Sequence, residues 1–181
     1  MPARRSHRPA HRNNETGSGD NQTVPVDSTH KLGLQRHMQL QTVSFNKETD
    51  IRYEFQLETT CKNRFWYTLI AKFSGTYRPG STGAPDAYFI CGIAQTALAM
   101  WHPAALILDL RELSYTWRDE MDLVLDAGSG RHVPTAIVGS DACLPAIGTL
   151  IHGINSAQLP TDAENIFDSI EEAWEYVRKK A

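Results

Sequence analysis

Ser140 lies in VGSDAC, where a strand is expected to turn into a helix, the setting in which many hydrolases display a nucleophile. The GxSxG spacing is absent and no Lys or His partner stands near it, so Ser140 reads as a helix-entry residue. Cys143 with His132 or His152 would make a nucleophile and a base, but no spacing brings them together, and His102 belongs to the same scattered background. Asp119, Glu120, Asp122 and Asp126 could hold a cation only if they converged. On a helix Asp119, Asp122 and Asp126 share a side while Glu120 points elsewhere, and neither an EF-hand loop nor HExxH accompanies them. They read as a solvated helix face. GSGRH (128–132) offers Arg131 beside a Gly-containing turn, too short for a phosphate-binding signature. No catalytic residue, cofactor or metal is therefore expected.

Recognition is the chemistry offered by Tyr115-Thr116-Trp117-Arg118, which follow an apolar strand directly. Function in open α/β sheets gathers at the carboxyl ends of strands, and Trp, Tyr and Arg are enriched at binding hot spots. Two readings stand. Trp117 packs beneath a helix against Met121, or the segment Tyr115, Thr116, Trp117, Arg118, Asp119 and Asp122 is a partner-binding surface.

Positioning these residues takes an alternation of strands and helices. Ile51, Tyr53, Phe55, Leu57 and Thr59 alternate with Arg52, Glu54, Gln56, Glu58 and Thr60, the period of a strand with one wet face. FWYTLIAKFSG (65–75) is a second strand, TTCKN between them fits a hairpin turn, and GTYRPGSTG (75–83) is a loop. Pro85 and Asp86 open a helix with Ile90, Ile93, Ala94, Ala97, Leu98 and Trp101 inward, and Pro103 stops it. AALILDL (104–110) has the continuous apolarity of a central parallel strand. Thr116-x-x-Asp119 then resembles a capping box for a helix carrying Met121, Val124 and Leu125 inward and ending at Gly128.

VPTAIVG (133–139) is the next buried strand, and Asp141 is expected to cap a helix bearing Leu144, Ile147 and Ile151. IFD (166–168) is a short strand. Asp168 is expected to cap the last helix, with Glu171 in the capping box, Ile170, Ala173, Trp174 and Val177 on one stripe, and Arg178, Lys179 and Lys180 in the last turn. The order ββαβαβαβα predicts one α/β domain over residues 46–181, a mixed sheet with flanking helices and right-handed crossovers. Residues 1–45 carry Arg4, Arg5, Arg8 and Arg12 followed by NNETGSGDNQT, and are expected to form a disordered tail. Leu32, Leu34, Met38 and Leu40 could form a short element within it.

ALILDLRELSYTWRDEMDLVL in the centre and IFDSIEEAWEYV at the end resemble, in order and separation, the corresponding segments of STAS domains, the anti-sigma-factor-antagonist family. The resemblance covers roughly residues 50–178. It implies a STAS-like mixed sheet and a regulatory, non-catalytic module that binds a partner protein through the turn and helix after the central strand. In the family a Ser in an Asp-Ser-Ser-Gly-like motif there accepts phosphate from a partner kinase. Here Trp117, Arg118, Asp119 and Glu120 overlie that motif, and the phosphoacceptor position falls on Asp119. The usual serine switch is thus not implied. Asp119 is either a fixed negative charge imitating the phosphorylated state or a first-turn helix carboxylate worth about 0.3–1 kcal/mol against the dipole.

The formal net charge of −3 averages two unlike halves: residues 1–85 hold 12 Lys/Arg against 7 Asp/Glu, and residues 86–181 hold 6 against 14. An acidic body argues against specific nucleic-acid binding. Cys61, Cys91 and Cys143 include no CxxC pair and suggest reduced thiols in a cytoplasmic protein. No apolar run approaches the ~20 residues of a membrane span. LILDLR also resembles a strand of crotonase-like and tail-specific-protease folds, which keeps a small ligand-binding or hydrolase-like domain as an alternative. An acidic immunity or inhibitor protein covering a basic target is the other alternative. A protein partner is expected on the leading reading, with its identity and the oligomeric state open.

Overall fold

A computed structural model describes residues 41, 42, 44, 48–58, 67–117 and 120–181. The expected tail and the element at Leu32–Leu40 lie outside the described residues, apart from a few positions after residue 40. Thr42–Ala181 falls in one compact unit.

Five strands form one sheet in sequential order: β1 (Arg52–Glu58), β2 (Thr68–Thr76), β3 (Ala105–Ser114), β4 (Thr135–Val138) and β5 (Ile166–Phe167). β1 and β2 are antiparallel, and each later strand is parallel to its predecessor. The connections are α1 (Ala84–Trp101), α2 (Met121–Leu125) and α3 (Leu144–His152), and α4 (Ile170–Lys180) follows β5. This is an α/β architecture, a mixed sheet with flanking helices in the expected order ββαβαβαβα.

When crossovers of one hand connect neighbours in sequence, their helices fall on one side of the sheet. Leu69, Ala71, Phe73, Leu106, Leu108 and Ile137 accordingly share a core with Ile90, Leu98, Met121, Val124 and Ile147 from α1, α2 and α3. The other face carries a smaller core, where Ala105, Ile107, Ala136 and Val138 meet Ala173 and Val177 of α4. Both faces of β3 and β4 are therefore covered, as the unbroken apolar run of β3 requires.

A bulge alters the simple alternation of β3. Lys72 pairs with Asp109 and Ser74 with Glu112, so Phe73 of β2 stands opposite two residues, Leu110 and Arg111. The extra residue resets the parity: Leu110 and Leu113 both enter the three-helix core, while Glu112 joins Lys72 on the other face at 2.6 Å.

Several local expectations shift. α2 has only five residues and begins at Met121 after Glu120 in the left-handed region (φ 59°), so Thr116 does not cap it. α3 starts after Cys143 with no side-chain cap, which removes Asp141 from that role. Ser169, not Asp168, caps α4, its side chain accepting from the Glu172 N–H. Ile151 is exposed, not inward. Asp86 lies in the first turn of α1 as expected, and it is fully buried. Arg78 donates to it through Nε (2.9 Å), a second guanidinium nitrogen (2.7 Å) and its main-chain N–H (2.9 Å). Burial is the largest influence and pushes the Asp86 carboxyl up. Hydrogen bonds from Arg78 and Thr49, with the Arg78 charge, outweigh it and hold the group below the usual carboxylate range.

Candidate interaction site at the strand ends

Main-chain hydrogen bonds hold the start of the turn after β3. Tyr77 N–H donates to the Ser114 carbonyl (2.9 Å), and Tyr115 N–H donates to the Ala142 carbonyl (3.0 Å). These bonds tie the ends of β2, β3 and β4 together. The Tyr77 and Tyr115 rings meet edge to face at 5.2 Å, and both are buried. Such a pair is worth about 0.5–1.5 kcal/mol beyond its buried area. Tyr115 is thus a buried floor beneath Thr116 and Trp117.

Thr116 and Trp117 stand on that floor in water. Trp117 is 57% exposed, while Met121, its proposed packing partner, is buried at 1%. The indole does not sit under the helix. A cleft of about 450 Å³ opens beside it, with Tyr115, Thr116 and Trp117 on one side and Ala146, Leu150 and Ile154 on the other. Ile154 is 83% exposed just past the end of α3. The second wall was not foreseen from sequence. The one available signal was an apolar residue placed beyond the Gly153 stop in an otherwise polar stretch.

The second wall is fixed to the first by a close approach. A side chain at Gly139 would meet Leu144 Cδ2 at 2.6 Å, so glycine lets the chain leave β4 and enter α3 tightly. Ser140 Oγ donates to the Arg111 carbonyl (2.8 Å) and accepts from Ala142 N–H (3.3 Å). Cys143 Sγ donates to the Leu110 carbonyl (3.4 Å) and accepts from Ser140 N–H (3.4 Å). Both side chains fasten the β4–α3 turn to the end of β3. Burial, the largest influence, pushes the Cys143 thiol up, away from the thiolate that a nucleophile needs. No hydrogen bond among the described residues joins Cys143 to His132 or His152.

Asp122 is exposed on α2 and Glu120 and Asp126 are exposed at its two ends, while Met121 and Val124 face the core. Arg118 and Asp119 lie outside the described residues. Arg131 and His132 are exposed beyond Gly128. Among the described residues no group of three or more His, Cys, Asp or Glu is placed to hold a metal ion, and no helix is long and apolar enough to cross a membrane.

No family model matches the chain, and no curated protein matches it. Among solved structures, an anti-sigma factor antagonist from Mycobacterium paratuberculosis matches over 70% of this chain and 95% of its own, at 14% identity and a TM-score of 0.43.

Proposed function

We propose that this chain is a non-catalytic regulatory module of STAS type, which binds a partner protein through the turn and helix after β3 without the usual serine phospho-switch. One observation carries the reading. Trp117 stands exposed at the rim of an apolar cleft, at the carboxyl end of the parallel strands, two residues after Tyr115, whose main chain is tied to Ala142. A preformed aromatic anchor loses little entropy on binding. Arg118 and Asp119 follow it in sequence, and Asp122 is exposed on α2, so indole, guanidinium and carboxylates lie within one short segment. The acidic residues around α2 favour a partner with a basic contact surface. Ser140 and Cys143 have structural work in the β4–α3 turn, which supports a module that binds rather than catalyses.

Asp119 takes the position of the family's phosphoacceptor with a carboxylate, and on this reading it supplies a permanent negative charge. Asp119→Ser should weaken partner binding and make the chain a kinase substrate. If neither changes, the fixed-charge role fails.

The main test is affinity capture with the full chain, comparing wild type, Trp117→Ala and the remote control Lys179→Ala. Trp117→Ala should lose the captured protein by about tenfold or more with an unchanged melting temperature, as expected for a hot-spot residue. Lys179→Ala should retain it, and added salt should weaken it. Equal capture by Trp117→Ala and wild type would refute the site.

A further inference from the structure

β1 ends the sheet. Its seven residues, Arg52–Glu58, pair with β2 on one side, and among the described residues no strand pairs with the other. An edge of this length presents main-chain N–H and C=O groups able to extend the sheet. Arg52, Glu54, Gln56 and Glu58 occupy one face of the strand, and Tyr53, Phe55 and Leu57 the face toward α1. Phe55 is anchored there by Trp101, with ring centroids 5.1 Å apart, whereas Tyr53 and Leu57 remain 48% and 41% exposed.

Consider a second copy of the chain lying antiparallel along this edge. A two-fold axis makes the contact reciprocal, and residues directly opposite must belong to the same face. Three registers, centred on Glu54, Phe55 and Gln56, pair five or more of the seven residues. Centred on Glu54, the two Glu54 carboxylates confront each other. Centred on Gln56, Glu54 confronts Glu58 of the other copy, twice. Centred on Phe55, Arg52 faces Glu58, Tyr53 faces Leu57, Glu54 faces Gln56 and Phe55 faces itself. That register pairs all seven residues and opposes no like charges. It also covers the two exposed apolar side chains with each other.

We infer that β1 is a homodimerisation edge in the Phe55-centred register, joining two copies into one continuous sheet. The occupant is a second copy because the charge sequence of the strand is complementary to its own reverse. An edge defended only by repulsion would set like charges opposite in every register. The surface lies two strands from β3, so this inference stands independently of the proposed partner site.

Sedimentation velocity on the full chain tests it. Wild type should sediment as a dimer. Arg52→Glu places Glu against Glu58 twice, and Glu58→Arg places Arg against Arg52 twice, so each variant alone should dimerise about tenfold or more weakly. Mixing the two variants restores both Arg–Glu pairs and should restore the dimer. The double variant Arg52→Glu/Glu58→Arg should dimerise like wild type, and circular dichroism checks that each chain is folded. Trp117→Ala should leave the dimer intact. A monomeric wild type, as expected if the N-terminal residues of the same chain cover the edge, overturns the inference. So does a dimer indifferent to the swaps and their mixing, or one lost in Trp117→Ala.

Discussion

On one face of the sheet α1, α2 and α3 cover Leu69, Leu106, Leu108 and Ile137; on the other, α4 covers Ala105, Ile107, Ala136 and Val138. Beside that core on the second face, Gln56 of β1, Ile70 and Lys72 of β2 and Asp109 and Arg111 of β3 surround a hollow of about 250 Å³ that also touches α4. Each face contains a buried carboxylate beside an arginine. Asp86 receives three bonds from Arg78, which also reaches the Glu48 carbonyl and so ties the chain before β1 to the start of α1. Asp109 is grasped by Arg111 through Nε and a second guanidinium nitrogen, both at 2.9 Å, at the edge of the hollow. The pairs look alike, but their surroundings differ: Asp86 lies in the first turn of α1 with no exposed surface, while Asp109 borders a hollow that water can fill. Burying a charge is costly only where nothing can replace a lost partner.

The largest effect should come from the three-helix face. Leu108→Ala removes a fully buried side chain at the centre of the sheet and should cost about 2–5 kcal/mol in urea unfolding. A loss below about 1 kcal/mol would mean that this face is not the stabilising one.

The two arginines sharpen the contrast. Arg78→Ala removes the neighbouring charge and two of the three Arg78 bonds to Asp86 and should cost about 3 kcal/mol, the low end for breaking a buried pair, since the main-chain N–H and Thr49 remain and Arg78 is itself 42% exposed. Arg111→Ala should cost about 1–2 kcal/mol because water entering the hollow can solvate Asp109. Equal losses would erase the distinction. Acid titration separates the two further. Because the folded Asp86 group is held below its ordinary value, its stabilisation is full above about pH 4 and is lost as pH falls through the folded value. The gap between wild type and Arg78→Ala should therefore narrow in acid.

Smallest of all, Lys72→Ala should leave the urea midpoint almost unchanged, and more nearly so in high salt, since Glu112 in that pair is 60% exposed. A clear loss would show that the region around the hollow holds the fold as well.

The long elements were legible because burial imposes period. The stripe Ile90, Ala94, Ala97 and Leu98 fixed α1, and the unbroken run at 104–110 fixed β3. What escaped was set by one-residue events. The bulge at Leu110 and Arg111 leaves no trace in composition, yet it decides that Leu113 turns inward. The caps moved because Ser169 competes with Asp168 one position away, and tertiary position settles which meets the free N–H groups. At the candidate site the turn residues were visible as a cluster of aromatic and charged types. The opposite wall was not, because α3 is apolar nearly all round, so its sequence does not tell Leu150 from Ile151.

Sequential strand order has a consequence for how the chain can be built. Each crossover delivers the next strand to the edge of one already made, so no late strand has to be inserted into a finished sheet. During synthesis the sheet can therefore lengthen as the chain emerges, N-terminal part first. The exception is the second face, whose cover is the last helix. Until α4 arrives, no other described helix covers Ile107, Ala136 and Val138. The nascent protein thus passes through a stage that is half-roofed and adhesive, and docking of its final eleven-residue helix ends that exposure.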